Sequence, residues 1–168
     1  GRSTEHTGGG TRYANADSGK TSKTGGYRWT VHDASGTTLK VRDADVNNAA
    51  ANDVANATCK VRGSFTVTSP NGNETWDVAS VHNVTWTKVG SITNAKIELS
   101  KDAGVTYPVV IVASTSASAL TYSWTIPDQL TTQGRVKVSD ASDATVFDLS
   151  DANSTIKGAV VVTAPNGI

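Results

Sequence analysis

The sequence predicts an all-β protein built of β-sandwich repeats about 95 residues long, and three observations carry that prediction. Apolar residues alternate with polar ones in short runs: Phe65 and Val67 with Thr66 and Thr68, Val84 and Trp86 with Asn83, Thr85 and Thr87, Ile97 and Leu99 with Lys96 and Glu98. That is the period of a half-buried strand. The composition suits strands joined by polar turns, because Ser and Thr make up about a quarter of the chain, Met is absent, and Glu is scarce beside Asp, Asn and Gly. The chain also repeats itself. Tyr27-Arg-Trp-Thr-Val-His-Asp33 matches Tyr122-Ser-Trp-Thr-Ile-Pro-Asp128, and Gly63-Ser-Phe-Thr-Val-Thr-Ser-Pro-Asn-Gly72 matches Gly158-Ala-Val-Val-Val-Thr-Ala-Pro-Asn-Gly167, both at a spacing of 95. Between them, Leu39-Lys-Val-Arg-Asp-Ala44 aligns with Val136-Lys-Val-Ser-Asp-Ala141 at 97, which implies a two-residue insertion that is later reversed.

A length of 168 residues alone suggests one domain. The period overrides that prior. It divides the chain into a partial repeat over residues 1–62, a complete repeat over 63–157, and, over 158–168, the first strand of a next repeat or a donor strand. The partial repeat opens on a Gly-rich stretch with little to bury, Gly8-Gly-Gly10 and Gly25-Gly26, read as a flexible arm. Alternation then begins at Tyr27, Trp29 and Val31, followed by strands at 39–41 and 57–61.

In the complete repeat, strands are expected around Phe65, Val84, Ile97, 109–112, Tyr122 to Ile126, Val136 and Ile156. Pro70-Asn-Gly-Asn73, Lys101-Asp-Ala-Gly104 and Pro127-Asp128 supply turns. Trp86 and Trp124 are the bulky inward residues expected to meet between the sheets.

Four segments carry a family likeness: Phe65-Thr-Val-Thr-Ser-Pro-Asn-Gly-Asn-Glu-Thr-Trp76, Asn83-Val-Thr-Trp86, Lys96-Ile-Glu-Leu-Ser-Lys-Asp-Ala-Gly104 and Tyr122-Ser-Trp-Thr-Ile-Pro127. Together they resemble the immunoglobulin-like repeat of bacterial and archaeal secreted and surface proteins, which is related to the Ser/Thr-rich GPI-anchored domain of yeast cell-wall proteins. Asn73 stands where that module usually has a second glycine, Val84 where it has isoleucine, and Tyr107 where an aromatic, often Trp, is common. The resemblance implies an Ig-like sandwich used as a spacer or accessory domain, and it brings no catalytic residues with it.

Fifteen Lys and Arg balance fifteen Asp and Glu. A neutral chain offers no basic face, so nucleic acid is not an expected partner. No apolar run approaches the roughly 20 residues of a membrane span. The single cysteine, Cys59, aligns with Ser154 and is expected to be a small packing residue on a strand, with an intermolecular bridge or a reactive thiol as the alternative.

Few residue groups suggest chemistry. His6, His32 and His82 read as surface residues, and no metal-binding, phosphate-binding or dinucleotide motif is present. The carboxylates Asp140, Asp143, Asp148 and Asp151 form one candidate cluster for Ca²⁺, which takes about 6 to 8 oxygen ligands. Their spacing matches no EF-hand and no nonapeptide repeat, and Asp residues that cap turns through their own side chains are the favoured account of them. Asn56, Asn73, Asn83 and Asn153 head N-glycosylation sequons, about as many as chance gives in so Ser/Thr-rich a chain. Tyr13, Tyr27, Trp29 and Trp76 are the aromatics from which a sugar-stacking surface would be made, but Tyr27 and Trp29 match Tyr122 and Trp124 in the repeat, which favours a core role, and Trp76 reads as structural.

The expected function is therefore a non-catalytic structural segment of a secreted or cell-surface protein: a stalk, adhesin or filament subunit. Self-association through Val160, Val161 and Val162 as an assembly strand would complement an incomplete sandwich. The alternatives are an accessory polysaccharide-binding module of a secreted hydrolase and a virion surface or tail protein.

Overall fold

The computed structural model describes residues 36–44, 48, 50–160 and 164. The chain divides into two compact units, Gly1–Gly63 and Ser64–Ile168. In the first unit, strand β1 (Gly36–Leu39) pairs antiparallel with β4 (Cys59–Val61), and β2 (Arg42–Ala44) with β3 (Asn52–Val54). Leu39 is buried there. The expected strand at 27–31 lies outside the described residues.

The second unit is a two-sheet sandwich of nine strands: β5 (Ser64–Ser69), β6 (Thr75–Asp77), β7 (Val81–Val89), β8 (Asn94–Ser100), β9 (Val109–Ser116), β10 (Thr121–Thr125), β11 (Thr131–Asp140), β12 (Phe147–Leu149) and β13 (Ser154–Lys157). One sheet has the order β10-β7-β5. The other runs β6-β13-β11-β8-β9, with β12 also on β11. The alternating residues decide which face each strand buries. Phe65, Val67, Val84, Trp86 and Trp124 point inward from the first sheet and Trp76, Ile97, Leu99, Val136, Val138 and Ile156 from the second, forming one core. Burial of these side chains at about 25 cal/mol per Å² is the main term holding the sheets together.

One strand and two connections carry the topology. β11 is long enough for one edge to hold β8 while the other holds first β13 and then β12. The chain leaves β5 in one sheet, turns at the cis Ser69–Pro70 bond and enters the other as β6, parallel to β13. Leu120, in the left-handed region at φ 58°, redirects the chain after a 3-10 turn (Ala117–Ala119) into β10.

The aromatic core differs from expectation in its partners. Trp86 and Trp124 are both buried, but they stand on neighbouring strands of one sheet rather than facing across. Trp124 meets Trp76 of the opposite sheet edge-on, with ring centroids 5.8 Å apart. Trp86 instead donates its indole N–H to the Ala117 carbonyl at 3.0 Å. On the outer face of the larger sheet, Glu98 is 7% exposed and held between Lys96 at 2.7 Å and Lys137 at 2.8 Å. Burial pushes its carboxyl up, but the hydrogen bonds and charge of the two ammonium groups outweigh that and hold it below the ordinary value. The same Lys137 ammonium lies 4.4 Å from the centre of the Tyr107 ring.

The same ladder occurs in both units. Gly36↔Val61 and Leu39↔Cys59 correspond to Thr131↔Ile156 and Gly134↔Ser154, including the irregularity between the two pairs. Arg42↔Val54, Asp43↔Asp53 and Ala44↔Asn52 correspond to Lys137↔Leu149, Val138↔Asp148 and Ser139↔Phe147. The turn bonds match too. The Ala51 N–H to Asn48 carbonyl and Ala55 N–H to Val41 carbonyl bonds recur as Val146 to Asp143 and Ser150 to Val136. All of these correspondences lie at 95 residues. The two-residue insertion inferred from the 97 spacing is therefore absent from this ladder. Both 95 and 97 preserve the inward-outward parity of a strand, so apolar alternation alone could not separate them.

Candidate functional site

The densest polar arrangement in the second unit is built on the turn between β5 and β6. Gly72 has φ +124°, open to glycine and strained for other residues. A Cβ there would stand 2.3 Å from the Ala152 Cβ, so the turn lies directly against the loop between β12 and β13. Glu74 folds back on its own turn, its carboxylate accepting from the N–H groups of Asn71 and Gly72 at 2.8 Å each and from the Ser154 hydroxyl at 2.8 Å. Asn71 clasps Asp151 from both ends: its Nδ2 donates to Asp151 Oδ2 at 2.7 Å, and its Oδ1 accepts from the Asp151 N–H at 2.9 Å. Ser150 donates its hydroxyl to the Pro70 carbonyl at 2.8 Å, and backbone bonds join Asn73 to Asn153 and Thr155 to Glu74. The Pro-Asn-Gly-Asn-Glu stretch thus fastens segments 80 residues apart in the chain.

Burial raises the Glu74 carboxyl, and its hydrogen bonds from Asn71, Ser154 and Gly72 outweigh that, leaving it below the ordinary value. A lowered carboxyl stabilises the fold above its unfolded value near 4.3, and that contribution is lost as pH falls through the lower folded value. Asp102 works the same way in the β8–β9 turn. Hydrogen bonds from the Ser100 hydroxyl first, and then from Thr106, hold it at about 2. Stability is accordingly expected to decline progressively as pH falls below about 4. Glu74→Ala is expected to lower stability by about 1 to 2 kcal/mol at neutral pH, a half-solvated hydrogen-bonded carboxylate's share, with a smaller deficit at acid pH. Urea titrations of both proteins at pH 7 and pH 3 would show it.

The sequence-predicted site residues are not brought together. Asp140 accepts from the N–H and hydroxyl of Ser142, and Asp143 from those of Thr145. Asp148 lies on β12 and accepts the Val67 N–H at 2.7 Å, tying the two sheets, while Asp151 belongs to the clasp. Among the described residues no three His, Cys, Asp or Glu side chains gather as a metal site. A strand, β12, lies between Asp143 and Asp151 and separates the carboxylates expected to form one cluster.

Of the sequon asparagines, Asn56, Asn73 and Asn83 are exposed. Asn73 holds a left-handed turn position at φ 69°, and Asn153 accepts from Arg135 Nε at 2.8 Å. Trp76 is buried, and Phe147 is the exposed aromatic among the described residues. Tyr13, Tyr27, Trp29, His6 and His32 lie outside them. Val160 is 93% exposed, while Val161 and Val162 also lie outside the described residues. Cys59 is exposed, contrary to the packing role expected. Its counterpart Ser154 is covered because Glu74 and β6 lie over it, and among the described residues the first unit has no equivalent of either.

One arrangement escaped the sequence reading. His82 is half-buried, stacked on Trp76 at 4.5 Å, with Nε2 3.0 Å from Ser80 Oγ. The Ser80 hydroxyl donates to the Asp77 carbonyl, so Ser80 is held in its own turn. Among the described residues no helix is long and apolar enough to cross a membrane. No protein-family model, no curated protein and no solved structure matches this chain.

Proposed function

We propose that the chain is a non-catalytic structural segment of a secreted or cell-surface protein, a run of Ig-like repeats serving as stalk, adhesin or filament subunit. One observation carries the reading: the ladder of the first unit recurs in the second at a constant 95 residues, as modules in series do. It is supported by the clasp, where the side chains of the signature stretch are engaged in fastening the fold. Residues 159–165 repeat the sequence pattern of β5 and, on this reading, are a strand entering a further sandwich, in the next repeat or in another copy.

The polysaccharide-binding alternative has a place to act: a groove of about 370 Å³ between the edge strands β9 and β10, with Tyr122 half-exposed in it. Among the described residues there is no exposed row of aromatics of the kind that sugar stacking uses. Electron microscopy of the purified chain across a concentration series separates these readings. Extended particles or fibres, shortened by deleting residues 159–168, are expected. Compact monomers at every concentration that bind or hydrolyse polysaccharide would contradict the proposal.

A further inference from the structure

Asn71 precedes Gly72, and an Asn-Gly pair is prone to self-cyclisation because no side chain shields the glycine nitrogen. The Gly72 backbone N attacks the Asn71 Cγ. A new N–Cγ bond forms, the Cγ–Nδ2 bond breaks, and ammonia leaves with the amide proton. Water then opens the succinimide at either carbonyl, giving aspartate or isoaspartate at position 71.

In the folded protein all the reacting groups are held elsewhere. The leaving nitrogen donates to Asp151 Oδ2 at 2.7 Å, the amide oxygen accepts from the Asp151 N–H at 2.9 Å, and the attacking Gly72 N–H donates to Glu74 Oε2 at 2.8 Å. Ring closure would break both hydrogen bonds of Asn71 with Asp151, while Gly72 is pressed against Ala152 and has little room to turn. We propose that Asn71 is a latent deamidation site which the clasp keeps closed, and whose conversion locks the clasp open. The lock follows from charge, because the product sets a carboxylate against Asp151 Oδ2 where a donor stood.

Peptide mapping by mass spectrometry tests the first half, with the full chain incubated at mildly alkaline pH in buffer and in urea. Conversion of Asn71 is expected to be about tenfold or more slower in the folded protein, since reaction must wait for local opening. Glu74→Gln should speed the folded-state reaction and leave the rate in urea unchanged. Equal rates folded and unfolded would overturn the protection. For the second half, Asn71→Asp should lower Tm at neutral pH, and adding Asp151→Asn, which again faces a donor with an acceptor, should restore much of it. An unchanged Tm in Asn71→Asp would overturn the lock.

Discussion

Replacing Trp86 by Ala is expected to destabilise the second unit by about 3 to 5 kcal/mol, the range for emptying a large aromatic site in a packed core. Trp86 is 1% exposed and lies among Val67, Val84 and Ile97 in the core cluster. Its removal also strips the Ala117 carbonyl of the indole N–H, at the point where the chain crosses from β9 to β10. A buried carbonyl left without a donor adds about 1 to 3 kcal/mol to such a loss, so the upper half of the range is favoured. Trp86→Phe retains most of the volume but not the donor and should fall between. Urea unfolding followed by circular dichroism gives the values. A loss below about 1 kcal/mol for Trp86→Ala would place the ring outside the core.

The second large effect is expected at Gly72, where Ala should cost about 3 kcal/mol. Two terms combine. A left-handed φ of +124° is strained for any L side chain, and the new Cβ would meet the Ala152 Cβ at 2.3 Å and its Cα at 2.9 Å. No flexible side-chain end is available to yield, so the β12–β13 loop must retreat and the Asn71–Asp151 bonds go with it. Adding Ala152→Gly removes the nearest clash but leaves the backbone of residue 152 too close and the strain at position 72 intact, so only partial recovery is expected. Full recovery would mean that the conformation at position 72 is not the constraint.

Much of the second unit was legible in the alternation of its residues, because β5, β7, β8, β10 and β11 set their buried apolar side chains on one face and period two is then enforced. β6 and β12 were not, since three residues are too few for a period to stand out. The aromatic partners were missed for another reason. Inward orientation is written in the alternation, but which ring crosses to which depends on the switch of the chain from β5 to β6. The clasp was visible as a sequence motif, whereas its target depends on long-range pairing. Nothing local in Asp148 or Asp151 says that one ties β5 and the other holds Asn71. Cys59 shows the limit of alignment by repeat, because burial belongs to the covering elements and not to the strand position.

The ladder common to the two units underlies the repeat reading, and nuclear Overhauser effects between opposed strands measure it directly. Cross-strand effects are predicted for Asp43 with Asp53 and Arg42 with Val54, mirrored by Val138 with Asp148 and Lys137 with Leu149. Pairings in the first unit displaced by two residues from that register, or missing while those of the second unit are present, would contradict a module repeated at 95.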